Sequence, residues 1–143
     1  MIMPYLNFQG NCEEAFLWYE QIFDGKLMHM SKYKDMPQNA QQQMSEEQKA
    51  KVMHAQLMLF ENGGISGADA LWPVESGSTV SIQAHFPCEA PAQKVFAALA
   101  KEGSIIGELV SNPPPDDYGI SGSVKDKYGF TWIISALKSS TSQ

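Results

Sequence analysis

Apolar positions along this chain follow two rhythms, an alternation of period two and a spacing of three to four, and the order of those rhythms occurs twice. Residues 4–8 form a short apolar run closed by Gly10 and predict a strand. Asn11 then offers a capping oxygen, with Glu14 three residues on as its partner. Ala15, Trp18, Tyr19 and Ile22, widened by Phe16 and Phe23, predict a helix that stops at Gly25. Residues 26–33 and 52–60 predict a second and third strand, and Glu61-Asn62-Gly63-Gly64 turns into a fourth over 65–69. Between the second and third lies a polar stretch, 34–51, in which Ser45-Glu46-Glu47-Gln48 suits the cap of one short helical turn. Loops of that length serve as lids, interface arms or mobile segments.

The order then restarts. Residues 79–86 alternate as a strand, Pro87-Cys88-Glu89-Ala90-Pro91 opens a helix, and Ala92, Val95, Phe96 and Leu99 form its stripe before Gly103. Strands are predicted at 104–110, 118–125 and 130–136, with Asn112-Pro113-Pro114-Pro115-Asp116-Asp117 as a stiff connection and Asp126-Lys127-Tyr128-Gly129 as a hairpin turn. The second stripe repeats the first at one constant offset. The pattern predicts an α+β fold in a single domain, built from two βαβββ modules at 1–70 and 78–137, with a Ser-rich tail, 138–143, expected to be disordered. Two such sheets side by side predict a curved, cup-like mixed sheet with helices outside.

Composition narrows the function classes. A chain of 143 residues with 43 % hydrophobic and 18 % charged residues can bury one domain's core. No run approaches the length of a membrane helix and the start carries no basic-then-apolar leader, so a cytoplasmic protein without membrane contact is expected. The net charge of −6 repels phosphate backbones and argues against nucleic acid as a partner. Every basic residue is a lysine, so no guanidinium is present to clamp a phosphonate dianion. Cys12 and Cys88 are too few for a disulfide framework or a four-ligand zinc site, and beside Glu13, Glu14 and Glu89 they read as packing residues. The acidic pairs Glu13-Glu14, Glu46-Glu47 and Asp116-Asp117 diverge in space and read as solvated or capping charges. Six of the eight methionines fall between Met28 and Met58, which suits an adaptable wall or ordinary packing.

The segment Pro4-Tyr5-Leu6-Asn7-Phe8-Gln9-Gly10-Asn11-Cys12-Glu13-Glu14-Ala15-Phe16, with Trp18-Tyr19 and Phe23-Asp24-Gly25, resembles the vicinal oxygen chelate superfamily, also called glyoxalase/bleomycin-resistance/dioxygenase, and within it the PhnB-like branch. Asp35-Met36-Pro37, Val52-Met53-His54-Ala55, Ser66-Gly67-Ala68-Asp69 and Asp126-Lys127-Tyr128-Gly129-Phe130-Thr131-Trp132 extend the resemblance over nearly the whole chain. It implies a glyoxalase-like fold and a homodimer. The branch often carries Phe-Trp-Gly before the last hairpin, where this chain has Asp117-Tyr118-Gly119. Proteins of this kind are often labelled demethylubiquinone methyltransferases. This sequence has no strand, glycine-rich turn and helix suited to S-adenosylmethionine, and the fold implied is a different one.

Metal enzymes of the superfamily take His and Glu ligands from the first, fourth, fifth and last strands. Here those positions fall near Pro4, at Ser66 and Gly67, at Val80 and Ser81, and at Ile133, so no metal site and no cofactor are expected. The three histidines, His29, His54 and His85, sit on different predicted strands and read first as surface or partly buried residues. His54 is the exception. With Met53, Ala55, Leu57 and Leu59 facing the helix, Val52, His54, Gln56, Met58 and Phe60 face the open side. By the same alternation Val80, Ile82, Ala84 and Phe86 turn inward, leaving Ser81, Gln83 and His85 open, and Thr131 joins them if Trp132 and Ile134 pack inward. His54, Gln56, Met58, Ser81, Gln83 and Thr131 are therefore the candidate ligand-binding residues, an amphipathic and nearly uncharged set. A dimer partner or the 34–51 loop is the competing use of the same residues.

The leading expectation is a homodimeric, metal-independent protein that binds a small organic molecule, as in sequestering proteins of the bleomycin-resistance type, with any reaction unspecified. The alternative is a metal-dependent lyase, isomerase or thiol transferase with ligands at unusual positions such as His54, His85 and Glu108. A third reading has the protein act through its dimer surface alone.

Overall fold

The computed structural model describes residues 1–138. The expected disorder of the tail falls on 139–143, outside the described residues. Internal contacts divide the chain into two compact units, the first Met1–Glu75 and the second beginning at Ser76, a division that falls in the gap between the two expected modules.

In the first unit the elements are β1 (Tyr5–Phe8), α1 (Cys12–Phe23), β2 (Lys26–Lys32), a 3-10 turn (Tyr33–Asp35), the short helices α2 (Gln38–Gln41) and α3 (Glu46–Lys49), β3 (Val52–Phe60) and β4 (Gly63–Asp69). The strands pair in the order β1-β4-β3-β2, with β1 parallel to β4 and the other pairs antiparallel. The second unit repeats this with β5 (Ile82–Phe86), α4 (Glu89–Ala100), β6 (Ser104–Ser111), β7 (Gly119–Lys125) and β8 (Thr131–Leu137), paired β5-β8-β7-β6 with β5 parallel to β8. The result is an α+β fold of two four-stranded mixed sheets, each with one twelve-residue helix on one face.

The α4 stripe buries as its spacing predicts, whereas in α1 Trp18 and Ile22 are only half-buried and the buried side is shifted toward Phe16 and Phe23. Ala15, Phe16, Tyr19 and Phe23 line the buried side of α1, and Ala92, Val95, Phe96 and Leu99 that of α4. They meet the inward set of each sheet, Leu6, Phe8, Ala55, Leu57 and Ile65 in one unit, Ala84, Phe86, Val124, Trp132 and Ile134 in the other. Fully burying side chains of this size stabilises by about 1.5–3 kcal/mol each. The α1 stop depends on close approach. Asp24 takes the left-handed conformation (φ 54°), while a Cβ on Gly25 would lie 2.6 Å from the Met58 carbonyl oxygen.

Four local expectations are corrected. Asn11 makes no side-chain cap on α1; the Asp69 carboxylate does that work from the end of β4, accepting the Cys12 amide at 3.1 Å. The fifth strand starts at Ile82 rather than 79, so Val80 is 75 % exposed instead of packed on the helix. Val52 is buried, because the pairing of β2 and β3 shifts register between Ser31 and Lys32 and turns it inward. Phe60 also leaves the open face, because a register shift after Met58 brings its ring edge-on to Phe23, 6.3 Å between centroids. The 34–51 stretch carries two short helices, and Ser45 and Gln48 form the expected capping box at α3, each side chain bonded to the other's amide at 3.1 Å.

Candidate functional site

The face of the first sheet away from α1 is built by alternation on three strands. On β3, His54, Gln56 and Met58 point the same way while Ala55, Leu57 and Leu59 are buried. On β1, Leu6 and Phe8 are buried, which sends Tyr5 to the open side, 49 % exposed. Tyr5 lies opposite Ser66 of β4, and Ser66 lies opposite Gln56 of β3. The small serine between them leaves the phenol room to reach across β4. Tyr5 Oη and His54 Nδ1 are 3.1 Å apart, and the two rings stack with centroids 5.7 Å apart and planes 27° from parallel.

From β2, His29 stands opposite Gln56, its ring centroid 5.8 Å from that of His54, and Ser31 stands opposite His54. The Ser31 hydroxyl is buried, with no hydrogen-bond partner among the described residues. Burial, and then the Cys12 thiol, raise the Tyr5 phenol above its ordinary value of 10.0, so it stays protonated across the neutral range. No carboxylate occurs among these open-face residues, and the face presents hydrogen-bonding groups beside apolar surface.

The second sheet arranges its open face likewise. With Trp132 and Ile134 fully buried, Thr131, Ile133 and Ser135 share the other side, as expected for Thr131. Gln83 stands opposite Ile133 and His85 opposite Ser135. The Ser135 hydroxyl is 2.9 Å from His85 Nδ1 and accepts from Gln83 Nε2 at 3.3 Å. Ser121, opposite Ser135 on β7, donates to the Asn112 side chain. Ser81 lies just before β5, exposed and outside the sheet. His54, Gln56 and Met58 thus share one face of the first unit, and Gln83 and Thr131 one face of the second. Tyr5, Ser31 and Ser135 were not anticipated, although the alternation of β1 and β8 carries the signal for Tyr5 and Ser135.

The superfamily's metal positions carry no cation-binding side chains in these surroundings. Ile133, where a carboxylate would stand, lies opposite Gln83 and Ser123 with an aliphatic side chain. Pro4, Ser66, Gly67, Val80 and Ser81 bring no imidazole or carboxylate. The residues at these positions do not fit a divalent cation. Among the described residues no three His, Cys, Asp or Glu side chains gather as a ligand set. Among the described residues, too, no helix is long and apolar enough to cross a membrane.

The model of one protein family, described as 3-demethylubiquinone-9 3-methyltransferase, matches residues 1–135. The chain belongs to that family. Within reach of it is Protein YjdN of Escherichia coli (strain K12), 26 % identical over 148 residues and covering 99 % of both chains. Among solved structures, protein PA1353 from Pseudomonas aeruginosa superposes with a TM-score of 0.82 at 29 % identity, over 97 % of this chain and 98 % of that one. A Bacillus cereus protein described as a putative 3-demethylubiquinone-9 3-methyltransferase, PhnB protein, gives 0.73 at 23 % identity, over 96 % and 98 %. The fold of the family member described here is glyoxalase-like, as the twice-used βαβββ order predicts.

Proposed function

We propose that this chain is a PhnB-like, glyoxalase-fold protein that binds a small, largely uncharged organic molecule on the open face of its first sheet. It does so without the divalent metal its superfamily commonly employs, as a cytoplasmic homodimer. The observation that carries the reading is the Tyr5–His54 pair, a stacked and hydrogen-bonded couple on a face whose one placed charge is Lys26, opposite Met58 at the far end of β3. A protonated phenol donates to Nδ1 when the imidazole proton sits on Nε2, and the Nε2–H then remains as a donor for a ligand. Gln56 supplies a further polar contact, and Met58 an adaptable apolar one.

Gln83, Thr131 and the His85–Ser135 couple give the second sheet a comparable polar face, with Lys125 opposite Thr131 at its end. Methyl transfer, named in the family's description, is not part of this reading: both sheets are mixed, and neither forms the doubly wound parallel sheet with a glycine-rich turn that binds nucleotide cofactors in many enzymes.

A thermal-shift screen of small neutral organic compounds tests the reading. A binding compound raises the melting temperature by mass action, and Tyr5→Phe and His54→Ala each reduce that shift. A response unchanged in both variants contradicts the assigned face, and no response across the library supports a protein acting through its dimer surface.

A further inference from the structure

A second concavity lies at the end of the first sheet, where the chain leaves β1 for α1, leaves α3 for β3, and leaves β4. It encloses about 360 Å³, within the range of small-molecule sites, and Gln9, Glu47, Gln48, Lys51, Asp69 and Trp72 are among the residues lining it. Its charges are unequal in availability. Asp69 is buried and its carboxylate is fully engaged: Oδ1 accepts the amides of Gly10 at 2.7 Å and Cys12 at 3.1 Å, and Oδ2 accepts that of Val52 at 2.8 Å. Lys51 is held in place, because Gly10 adopts φ +111° and lacks a Cβ, which would stand 3.3 Å from the ammonium. The ammonium donates to the Gly10 carbonyl at 3.1 Å. That uses one of its three N–H donors, and the other two have no partner among the described residues. Gln48 gives its side-chain oxygen to the Ser45 amide, which leaves its NH₂ group as a donor. Trp72 is 62 % exposed, and its indole lies on the wall with no aromatic partner among the described residues. Glu47 is the remaining charge, on the exposed side of α3.

We propose that this concavity is a binding site for a planar aromatic carboxylate, with the ring against the Trp72 indole and the carboxylate on the Lys51 ammonium and the Gln48 amide. A charge-assisted hydrogen bond to a positioned ammonium together with stacking on an indole favours an anion with a flat apolar body over either alone. Asp69 does not oppose it, since three backbone N–H dipoles point at its carboxylate. The site lies apart from the Tyr5–His54 face, and it stands or falls independently of the function proposed for that face.

The test uses the full chain and follows tryptophan fluorescence while benzoate, nicotinate and the uncharged analogue benzamide are added. The proposal expects saturable quenching by the two carboxylates, benzamide weaker by about tenfold or more, and a comparable loss for carboxylates in Lys51→Gln. Trp72→Ala, a change at an exposed position, leaves the fold intact by circular dichroism and removes the quenching. Equal binding of benzamide and benzoate, undiminished binding in a folded Lys51→Gln protein, quenching that survives Trp72→Ala, or no saturable binding of either carboxylate overturns it.

Discussion

The carboxylate of Asp69 reaches from the end of β4 to the amide of Cys12, with Oδ1 3.1 Å from that nitrogen, and so ties the last strand of the first unit to the start of its helix. The same side chain holds the Gly10 and Val52 amides, and the Asp69 carbonyl accepts the Tyr33 hydroxyl at 2.7 Å. One buried residue thus joins β1, α1, β3 and the 3-10 turn. Asp69→Asn keeps the volume and removes an acceptor oxygen, so one buried amide loses its partner and the helix start loses a negative charge. The expected cost is about 3 kcal/mol, read from urea denaturation. A loss within a few tenths of a kcal/mol would show that the tie is not structural.

Asp126 plays the matching part in the second unit. Its Oδ2 accepts the indole N–H of the fully buried Trp132 at 2.8 Å, and Oδ1 accepts the amides of Tyr128 and Phe130 at 2.9 and 3.0 Å. Asp126→Ala strands a buried indole donor and opens the turn before β8, and is expected to destabilise by about 2–4 kcal/mol. Far-UV circular dichroism against denaturant gives the number; wild-type stability in Asp126→Ala would refute the assignment.

Alkaline pH should weaken the fold through Cys12. Burial, then Asp69 and Glu13, push its thiol far above the ordinary value of 9.0. Above pH 9 the unfolded thiol releases its proton while the folded one keeps it, so the native state binds more protons and stability falls as pH rises. The slope approaches about 1.4 kcal/mol per pH unit for this one group. Tyr5 and Tyr33, also raised by burial first, add to the fall above pH 10. Stability curves between pH 8 and 11 should be visibly flatter just above pH 9 in Cys12→Ala. A thiol reagent should modify exposed Cys88 in the native protein and reach buried Cys12 only on unfolding.

How far these features could be read in advance follows from their range along the chain. The stripe of Phe96 and Leu99, the alternation of Ala55, Leu57 and Leu59, and the Ser45–Gln48 box involve neighbours a few residues apart, and periodicity exposes them. The α1 cap does not, because Asp69 lies 57 residues from Cys12 and only strand order brings it there. Val52 and Phe60 escaped because a shifted register reverses a side chain's face, and a period-two pattern carries no sign of the bulge. At the candidate site, alternation pointed to His54, Gln56 and Met58. Its partner Tyr5 needed the order β1-β4-β3, with Ser66 in between, and strand order is a property of the whole module.

Within the Tyr5–His54 couple, the two variants should differ. Tyr5→Phe retains the stack and loses the hydrogen bond, and is expected to weaken ligand binding by about fivefold to tenfold. His54→Ala loses both and should weaken it further, while each protein keeps its fold because neither side chain belongs to the buried core. Calorimetric titration with a compound from the screen measures the difference. Tighter binding by His54→Ala than by Tyr5→Phe would contradict the assigned roles.

Elemental analysis of protein purified without chelator bears most directly on the central claim, binding on a face from which the cation-gripping donors are missing. The expected result is far less than one equivalent of zinc, nickel, manganese or iron per chain, with ligand-induced melting shifts unaffected by adding those ions. One tightly held equivalent that disappears in His54→Ala would contradict the account and establish a metal centre at unusual positions.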